Sequence, residues 1–78
     1  MVEIKNIKLQ GDIISCDYYP EGNREERCYL AVNVLTGLIV NHLHREDEWP
    51  AYADHTVARL LEICNNNPLP DTSTVMWY

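Results

Sequence analysis

The stretch VEIKNIKLQGDIISCDYY, residues 2–19, decides the fold, because its turn chemistry and its hydrophobic pattern agree on one β-hairpin. Gly11 and Asp12 have the composition of a two-residue primed turn at the hairpin tip. A two-residue loop fixes which residues face one another, so Leu9 is expected opposite Ile14. Apolar side chains then meet on one face of the pair, and Ile7 is expected opposite Cys16 on that same face.

The first strand of this hairpin changes phase along its length. Val2 and Ile4 are even-numbered, whereas Ile7 and Leu9 are odd-numbered. Side chains alternate between the two faces of a strand, so these four residues can share a face only if the strand is irregular between them. A bulge or bend is therefore predicted near Lys5–Asn6.

A second hairpin is predicted over residues 27–44. Apolar residues alternate on both sides of Leu-Thr-Gly, and Gly37 fits the left-handed position of a three-residue loop. The resulting register pairs Val34 with Leu38, Val32 with Val40, Leu30 with His42 and Cys28 with His44. Between the two hairpins, the polar residues 20–26 are typical of a solvated loop.

A helix is predicted over residues 50–66, with Pro50 in its first turn and Asn65–Asn67 followed by Pro68 at its end. Residues at helical spacing form an apolar stripe, with two more apolar residues on one flank. The stripe consists of Ala53, Val57, Leu60, Leu61 and Cys64, and the flank of Tyr52 and Ile63. The opposite side, which carries His55, Arg59 and Glu62, is expected to face water.

The tail, residues 69–78, ends in Val-Met-Trp-Tyr, whereas chain ends without a partner are usually polar. Three placements remain open: an extra edge strand, a cover over the Tyr52 and Ile63 flank of the helix, or docking on another chain. Packing within the chain is favoured. Deleting residues 75–78 is expected either to melt the fold or to abolish an oligomer.

This element order predicts an α+β fold in a single domain, residues 1–78. The simplest assembly is an antiparallel four-stranded meander, β-β-β-β-α, with the helix packed on one face. The tail is a possible further edge strand. One helix leaves the second sheet face open, and that face is expected to carry Tyr29, Asn33, Ile39, Asn41 and Leu43.

The charge of the chain disfavours several classes of partner. Its formal net charge is −6, and its six Lys and Arg residues are dispersed. Nucleic acids and anionic membranes both attract clustered basic residues, so neither is expected as a partner. With three glycines and no phosphate-binding loop, no cofactor is expected.

The predicted location is the cytoplasm. Cys16, Cys28 and Cys64 are far apart and form no CxxC pair, which is typical of reduced thiols. Charged residues begin at Glu3, so no signal peptide is expected. No apolar run approaches the length of a membrane span.

Three stretches resemble a family of short uncharacterised bacterial proteins: GDIISCDYYPEG (11–22), VNVLTGLIV (32–40) and TVMWY (74–78). The resemblance covers nearly the whole chain and depends on turns and core residues. It implies a compact domain of β-sheet plus helix from a bacterial source. It supplies no catalytic residue to carry over to this chain.

The segment HLHREDEWPAYADH, residues 42–55, holds all three histidines. His42 and His44 alternate on a strand and so share a face, and the predicted register adds Cys28 to them. Such a set is typical of zinc ligands, with Glu46 or Asp47 as a fourth. A cross-strand cysteine and histidine could also activate a thiolate.

Other observations favour the interpretation that this segment only connects a strand to a helix. The helix phase points His55 away from the sheet, and a one-residue slip would put Cys28 and His44 on opposite faces. The acids of this segment are typical of a helix start, where the helix dipole favours negative charge. These acids are Glu46, Asp47, Glu48 and Asp54.

The sequence therefore predicts a binding module and no enzyme, since it contains no recognisable catalytic arrangement. The expected partner is another protein or a second copy in a homodimer, bound through the open sheet face or the tail. The interface candidates are Tyr29, Ile39, Leu43, Tyr52, Ile63, Met76, Trp77 and Tyr78. Two alternatives remain open: a metal-binding or thiol-dependent protein that uses Cys28, His42 and His44, and an accessory subunit of an enzyme.

Overall fold

A computed structural model describes residues 1–45 and 48–77, which form five strands and one helix. The elements are β1 (Val2–Gln10), β2 (Ile13–Pro20), β3 (Cys28–Asn33), β4 (Ile39–Leu43), α1 (Ala51–Ile63) and β5 (Ser73–Val75). The predicted α+β fold, with an antiparallel sheet and one helix, is confirmed. The predicted count of four strands is wrong by one, because the tail adds β5.

The sheet order is β4-β3-β2-β1-β5, so the first four strands form the predicted meander. β5 pairs antiparallel with β1 and places Val75 opposite Val2. Of the three placements left open for the tail, an edge strand within the same chain is observed, and Trp77 beyond it also contacts Tyr52 on the flank of the helix, with ring centroids 5.6 Å apart. Tyr78 lies outside the described residues.

The register of the first hairpin is confirmed at its tip, where Leu9 faces Ile14. The predicted irregularity is also present: the register shifts between Lys5 and Lys8, and Asn6 has a φ of +55°. Ile7 lies inside this irregular segment: together with Asn6 it is opposite Cys16, as in a β-bulge, and its side chain is buried in the same core. Its backbone N–H donates to the Asp71 carbonyl at 3.1 Å. The bulge brings Ile7 into one core with Val2 and Ile4, whereas Leu9 near the hairpin tip is exposed.

The second hairpin is confirmed at Leu30, which faces His42, but its loop is longer than predicted. Val32 pairs with Ile39 instead of Val40, because the register shifts between Ala31 and Val32. The remaining pairings, Val34 with Leu38 and Cys28 with His44, are absent from the register, in which β4 ends at Leu43. Gly37 has the expected left-handed backbone, with a φ of +73°.

The cause of the longer loop is the side chain of Asn33. Its Oδ1 accepts the backbone N–H of Leu35 at 2.8 Å and that of Thr36 at 3.3 Å. Its carbonyl accepts the N–H of Gly37 at 2.8 Å. Asparagine side chains often hold turns in this way, and here the turn ends β3 at Asn33.

The helix is shorter than predicted, and the side of it that faces the core differs from the predicted side. Its buried residues are Ala53, Thr56, Leu60 and Ile63, while the other residues of the predicted stripe are half-buried. Thr56 is fully buried because its hydroxyl donates to the Tyr52 carbonyl at 2.8 Å. These residues share one core with the strands, and α1 contacts β1, β2, β3 and β5.

The prediction that His55 and Arg59 face water is wrong, because β5 and the tail lie along that side of α1. The guanidinium of Arg59 donates to the Ser73 hydroxyl at 2.7 Å. The His55 ring stacks on Trp77 at a centroid distance of 4.1 Å. Glu62 is exposed, as predicted. Within the described residues, no helix is long and apolar enough to cross a membrane.

Candidate functional site

Four side chains from distant parts of the chain meet at one end of the sheet. We call them the Tyr18 network: Tyr18 of β2, Cys28 of β3, His42 of β4 and Glu48, which precedes α1. The Tyr18 hydroxyl lies 2.6 Å from Nε2 of His42 and 3.0 Å from Oε2 of Glu48. The Cys28 thiol lies 3.2 Å from the other carboxylate oxygen, Oε1. Glu48 therefore connects the helix start directly to β2 and β3, and to β4 through Tyr18.

The positions of the protons in this network follow from the donor inventory. A carboxylate only accepts hydrogen bonds, and a tyrosine hydroxyl carries a single proton. Tyr18 gives that proton to Glu48, so Nε2 of His42 must carry the hydrogen that faces Tyr18. The thiol of Cys28 donates as well, and every polar group named here has a partner. The four side chains thus form one connected set of hydrogen bonds at a part-buried site.

The surroundings hold Tyr18 and Cys28 in their protonated forms. Burial and the adjacent Glu48 carboxylate raise the pKa of Tyr18 far above its ordinary value. Burial, together with the bond to Glu48, raises the pKa of Cys28 to about 11. Cys28 is thus a thiol at neutral pH, and a thiol is a poor nucleophile and a poor metal ligand. The alternative in which a histidine activates Cys28 is not favoured by this geometry, because the thiol donates to the Glu48 carboxylate.

His42 and His44 do lie together at the edge of the sheet, with ring centroids 4.5 Å apart. His44 is exposed, and its Nδ1 lies 2.8 Å from the Arg45 carbonyl, which can only accept a hydrogen. The described residues contain no group of three histidine, cysteine or acidic side chains that could hold a metal ion. The predicted fourth ligands, Glu46 and Asp47, lie outside the described residues.

Acidification is expected to destabilise the fold through His42. Burial, followed by the nearby His44, lowers the pKa of His42 below its ordinary 6.5. The unfolded chain therefore takes up the proton first, and stability that is present above pH 6.5 is lost as the pH falls towards the folded pKa. Urea midpoints measured every 0.25 pH unit from 7.5 to 5 should fall below pH 6.5. The fall of the urea midpoint below pH 6.5 should become smaller in His42→Gln and stay unchanged in His55→Gln. Equal slopes in both variants would contradict this assignment.

A cleft of about 320 Å³ opens beside the network and contains three carboxylates. Its lining residues are Pro20, Glu21, Asn23, Glu26, Arg45, Glu48, Trp49 and Tyr52. Each carboxylate already has an internal partner: Glu21 accepts from the Tyr52 hydroxyl at 2.9 Å, and Glu26 pairs with Arg45 at 3.7 Å. These carboxylates are thus held by partners within the chain, and Arg45 is the basic side chain in the lining.

Most of the exposed large apolar side chains lie elsewhere, on the β3–β4 side of the sheet. Residues 28–44 contain no Asp, Glu, Lys or Arg, and we call them the uncharged hairpin. Among the described residues, eight large apolar side chains are exposed, and five of them belong to this segment. These five are Leu35, Leu38, Ile39, Val40 and Leu43. They lie on β4, an edge strand of the sheet, and on the turn before it.

The interface candidates fall into two groups. Tyr52, Ile63 and Trp77 are at least partly buried and pack against the core of their own chain, and so are poor anchors for a partner. Met76 is exposed, and Tyr78 lies outside the described residues. Tyr29 and Leu43 face each other across β3 and β4, with Leu43 exposed.

Ile39 does not lie on the open sheet face, so its predicted placement is wrong. It pairs with Val32, whose side chain is fully buried in the core, and paired residues share a face. It also lines a cleft with Pro50 and Ala53 at the helix start. The register shift within β3–β4 causes the change of face. Ile39 is nevertheless 42% exposed, on a strand that lies at the edge of the sheet.

Sequence reasoning missed two features of these sites. Glu48 was interpreted as an acid that favours the helix start, yet it binds Tyr18 and Cys28. Nothing local in the sequence signals that contact. The uncharged hairpin did have a signal: seventeen consecutive residues without a charge, in a chain of which 23% is charged.

Comparison with known proteins finds no matching family model, no matching curated protein and no matching solved structure. The resemblance to a family of short bacterial proteins therefore stays a prediction. Support for any function of this chain comes from its own residues.

Proposed function

We propose that this protein is a small binding module that pairs with another protein through the edge strand β4. The observation that carries the proposal is the combination of an open strand edge, exposed apolar side chains and no charge. β4 has a neighbour on one side only, and four of its five residues are exposed. An added strand would continue the sheet at this edge and would cover these side chains.

The physical argument concerns how proteins protect sheet edges. An edge strand presents unpaired N–H and C=O groups to solvent, and most proteins guard such edges with Lys, Pro or a covering segment. No such residue occurs in Leu38–Leu43. Strand addition satisfies these backbone groups, while alternate side chains supply apolar contact. β4 has an extra residue at Val40 but no charged residue or proline, and an apolar edge of this kind can accept an added strand.

The Tyr18 network supports this role as a structural support and not as a catalytic centre. It ties β4 to β2 through His42 and to the helix start through Glu48. An edge strand that receives a partner must keep its register, and these bonds hold it in place. All three cysteines are free, and two are buried, which supports a location in the reducing cytoplasm.

Selection of peptides tests the proposed edge. A phage library of random twelve-residue peptides, panned on the immobilised protein, should yield uncharged peptides with alternating apolar residues. Their affinity should fall at least tenfold for Val40→Lys, because a lysine on an edge strand opposes strand addition. Met76→Lys is the matched control, since Met76 is 71% exposed but lies outside the uncharged hairpin. Equal binding to both variants would contradict the proposal.

A further inference from the structure

A cleft at the Leu43 end of β4 differs in charge from the rest of the molecule. Its volume is about 320 Å³, and we call it the Arg27 cleft; its described lining residues are Arg27, His42, Leu43, His44 and Arg45. None of these five is Asp or Glu, although the chain has twelve acids and six bases. Two of the four arginines and two of the three histidines of an acidic chain thus line one cleft.

The pairing of β3 with β4 brings the two arginines together. Tyr29 faces Leu43 across these strands, and Arg27 and Arg45 each lie two residues beyond this pair. A guanidinium keeps its positive charge at any ordinary pH, so two of them beside one cleft repel each other. An anion bound in the cleft would relieve this repulsion.

Both arginines have donors to offer an anion. Arg27 is exposed and forms no ion pair with any residue that the structure describes, whereas Arg24 pairs with Glu3. Arg45 pairs with Glu26 at 3.7 Å, and both side chains of that pair are partly exposed, so the pair is weak. A guanidinium has five N–H donors, so Arg45 can donate to a ligand while it stays beside Glu26.

The two histidines add a ring nitrogen each. Nδ1 of His44 is held by the Arg45 carbonyl, which leaves Nε2 as the second nitrogen of that ring. Nε2 of His42 is held by Tyr18, which leaves Nδ1. An imidazole nitrogen accepts a hydrogen bond when it is neutral and donates one when it is protonated. It therefore suits an anion that is itself present in protonated and deprotonated forms, as phosphate is near neutral pH.

From this arrangement we infer that the Arg27 cleft binds a phosphate group, either as the free ion or as a monoester of a small molecule. Arginine donates paired N–H bonds to phosphate oxygens, and two arginines match a doubly charged group. A nucleic acid or an anionic membrane would also meet the acidic remainder of the chain, whereas one phosphate group meets the cleft alone. This site is independent of the strand proposed to add at β4, because both arginines lie outside β3 and β4.

The size of the cleft leaves room for more than the phosphate ion. Its volume of about 320 Å³ is at the low end of the range for small-molecule sites. Leu43 in its lining is 64% exposed and can contact the organic part of an ester. The cleft is otherwise polar and open to solvent, so binding of the phosphate group alone is expected to be weak.

Proton NMR of the three histidine rings tests this site. Inorganic phosphate is titrated into the tag-free, reduced chain at constant pH and constant ionic strength, up to about 50 mM. The ring signals of His42 and His44 should shift and saturate, with a dissociation constant of about 1–10 mM. The ring signal of His55 should not move, because His55 stacks on Trp77 and does not line the cleft.

Two substitutions that remove the same charge form a matched pair. Arg27→Gln takes a guanidinium out of the cleft and should weaken phosphate binding about threefold or more. Arg24→Gln removes an arginine whose side chain is 74% exposed and lies near Glu3, outside the cleft, so it should leave the affinity unchanged. Each variant lowers the net charge from −6 to −7, so the position of the lost charge is what differs. Circular dichroism should show that both variants are folded.

A second ligand identifies the source of the phosphate group. Phenyl phosphate should bind about threefold or more tightly than inorganic phosphate if the natural ligand is an ester, because its ring can contact Leu43. Equal affinities would identify the free ion as the ligand. Both results retain the cleft as a phosphate site.

Three results would overturn the inference. The first is that the signals of His42 and His44 stay in place at the highest phosphate concentration. The second is that chloride or acetate shifts them as strongly as phosphate does, which would show a general effect of anions. The third is that Arg27→Gln and Arg24→Gln bind phosphate equally well.

Discussion

Replacing Val75 by aspartate is expected to remove about 4 kcal/mol of folding free energy, which for a domain of this size is a large part of the total. Val75 is 8% exposed on β5, opposite the fully buried Val2 of β1. A carboxylate there would be buried without a partner. It would also detach β5, and with it the ring of Trp77, from α1. The urea midpoint followed by circular dichroism should fall by roughly 2 M or more.

The control for this variant is the next residue along the chain. Met76→Asp introduces the same charge at a side chain that is 71% exposed, so its cost should stay within about 0.5 kcal/mol. Burial is then the main difference between the two variants. If both lost the same stability, β5 would not be held as the structure shows, and the tail would have another role.

Replacing Tyr18 by phenylalanine is expected to lower the free energy of unfolding by about 2 kcal/mol. The ring stays in the core, but its hydroxyl, which binds both His42 and Glu48, is lost. Nε2 of His42 and one oxygen of Glu48 then lose their partner in a half-buried site. Leaving such groups unsatisfied costs more than the lost bond itself.

Tyr29→Phe provides the comparison, because it removes the same hydroxyl from the neighbouring strand at a half-buried position. Its effect on the urea midpoint should be a quarter or less of the Tyr18→Phe effect. A second readout is the pH dependence, since Tyr18→Phe removes the contact that fixes the His42 ring. Equal midpoints for the two variants would show that the network contributes no stability.

The sequence predicted the parts of the fold that depend on near neighbours. The turn at Gly11 set the register of β1 and β2, and the change of phase along β1 predicted the bulge beside Asn6. Both signals lie within a few residues of the feature they describe. The second loop was misjudged because the Asn33 side chain competes for backbone N–H groups, and turn length alone does not show this.

The remaining features depend on contacts between distant residues. The Arg59 side chain points towards β5 because its guanidinium donates to Ser73. The position of β5 beside β1 depends in turn on the assembly of the whole sheet. The Tyr18 network needs three strands and the helix start in register before Glu48 reaches its donors. A pattern read along the chain predicted that Cys28 and the histidines were near one another, but it did not identify the carboxylate that binds Cys28.

The pairing of Val2 with Val75 joins the first strand to the last. Closing so long a loop costs more conformational entropy than forming either hairpin, so this pairing is expected late in folding. During synthesis the meander of β1 to β4 can form while the outer edge of β1 still lacks its neighbour. Until β5 docks, the long strand β1 is itself an edge of the sheet, and afterwards the edge on this side is the three-residue β5. The docking of β5 therefore completes the sheet and also protects β1 from premature association.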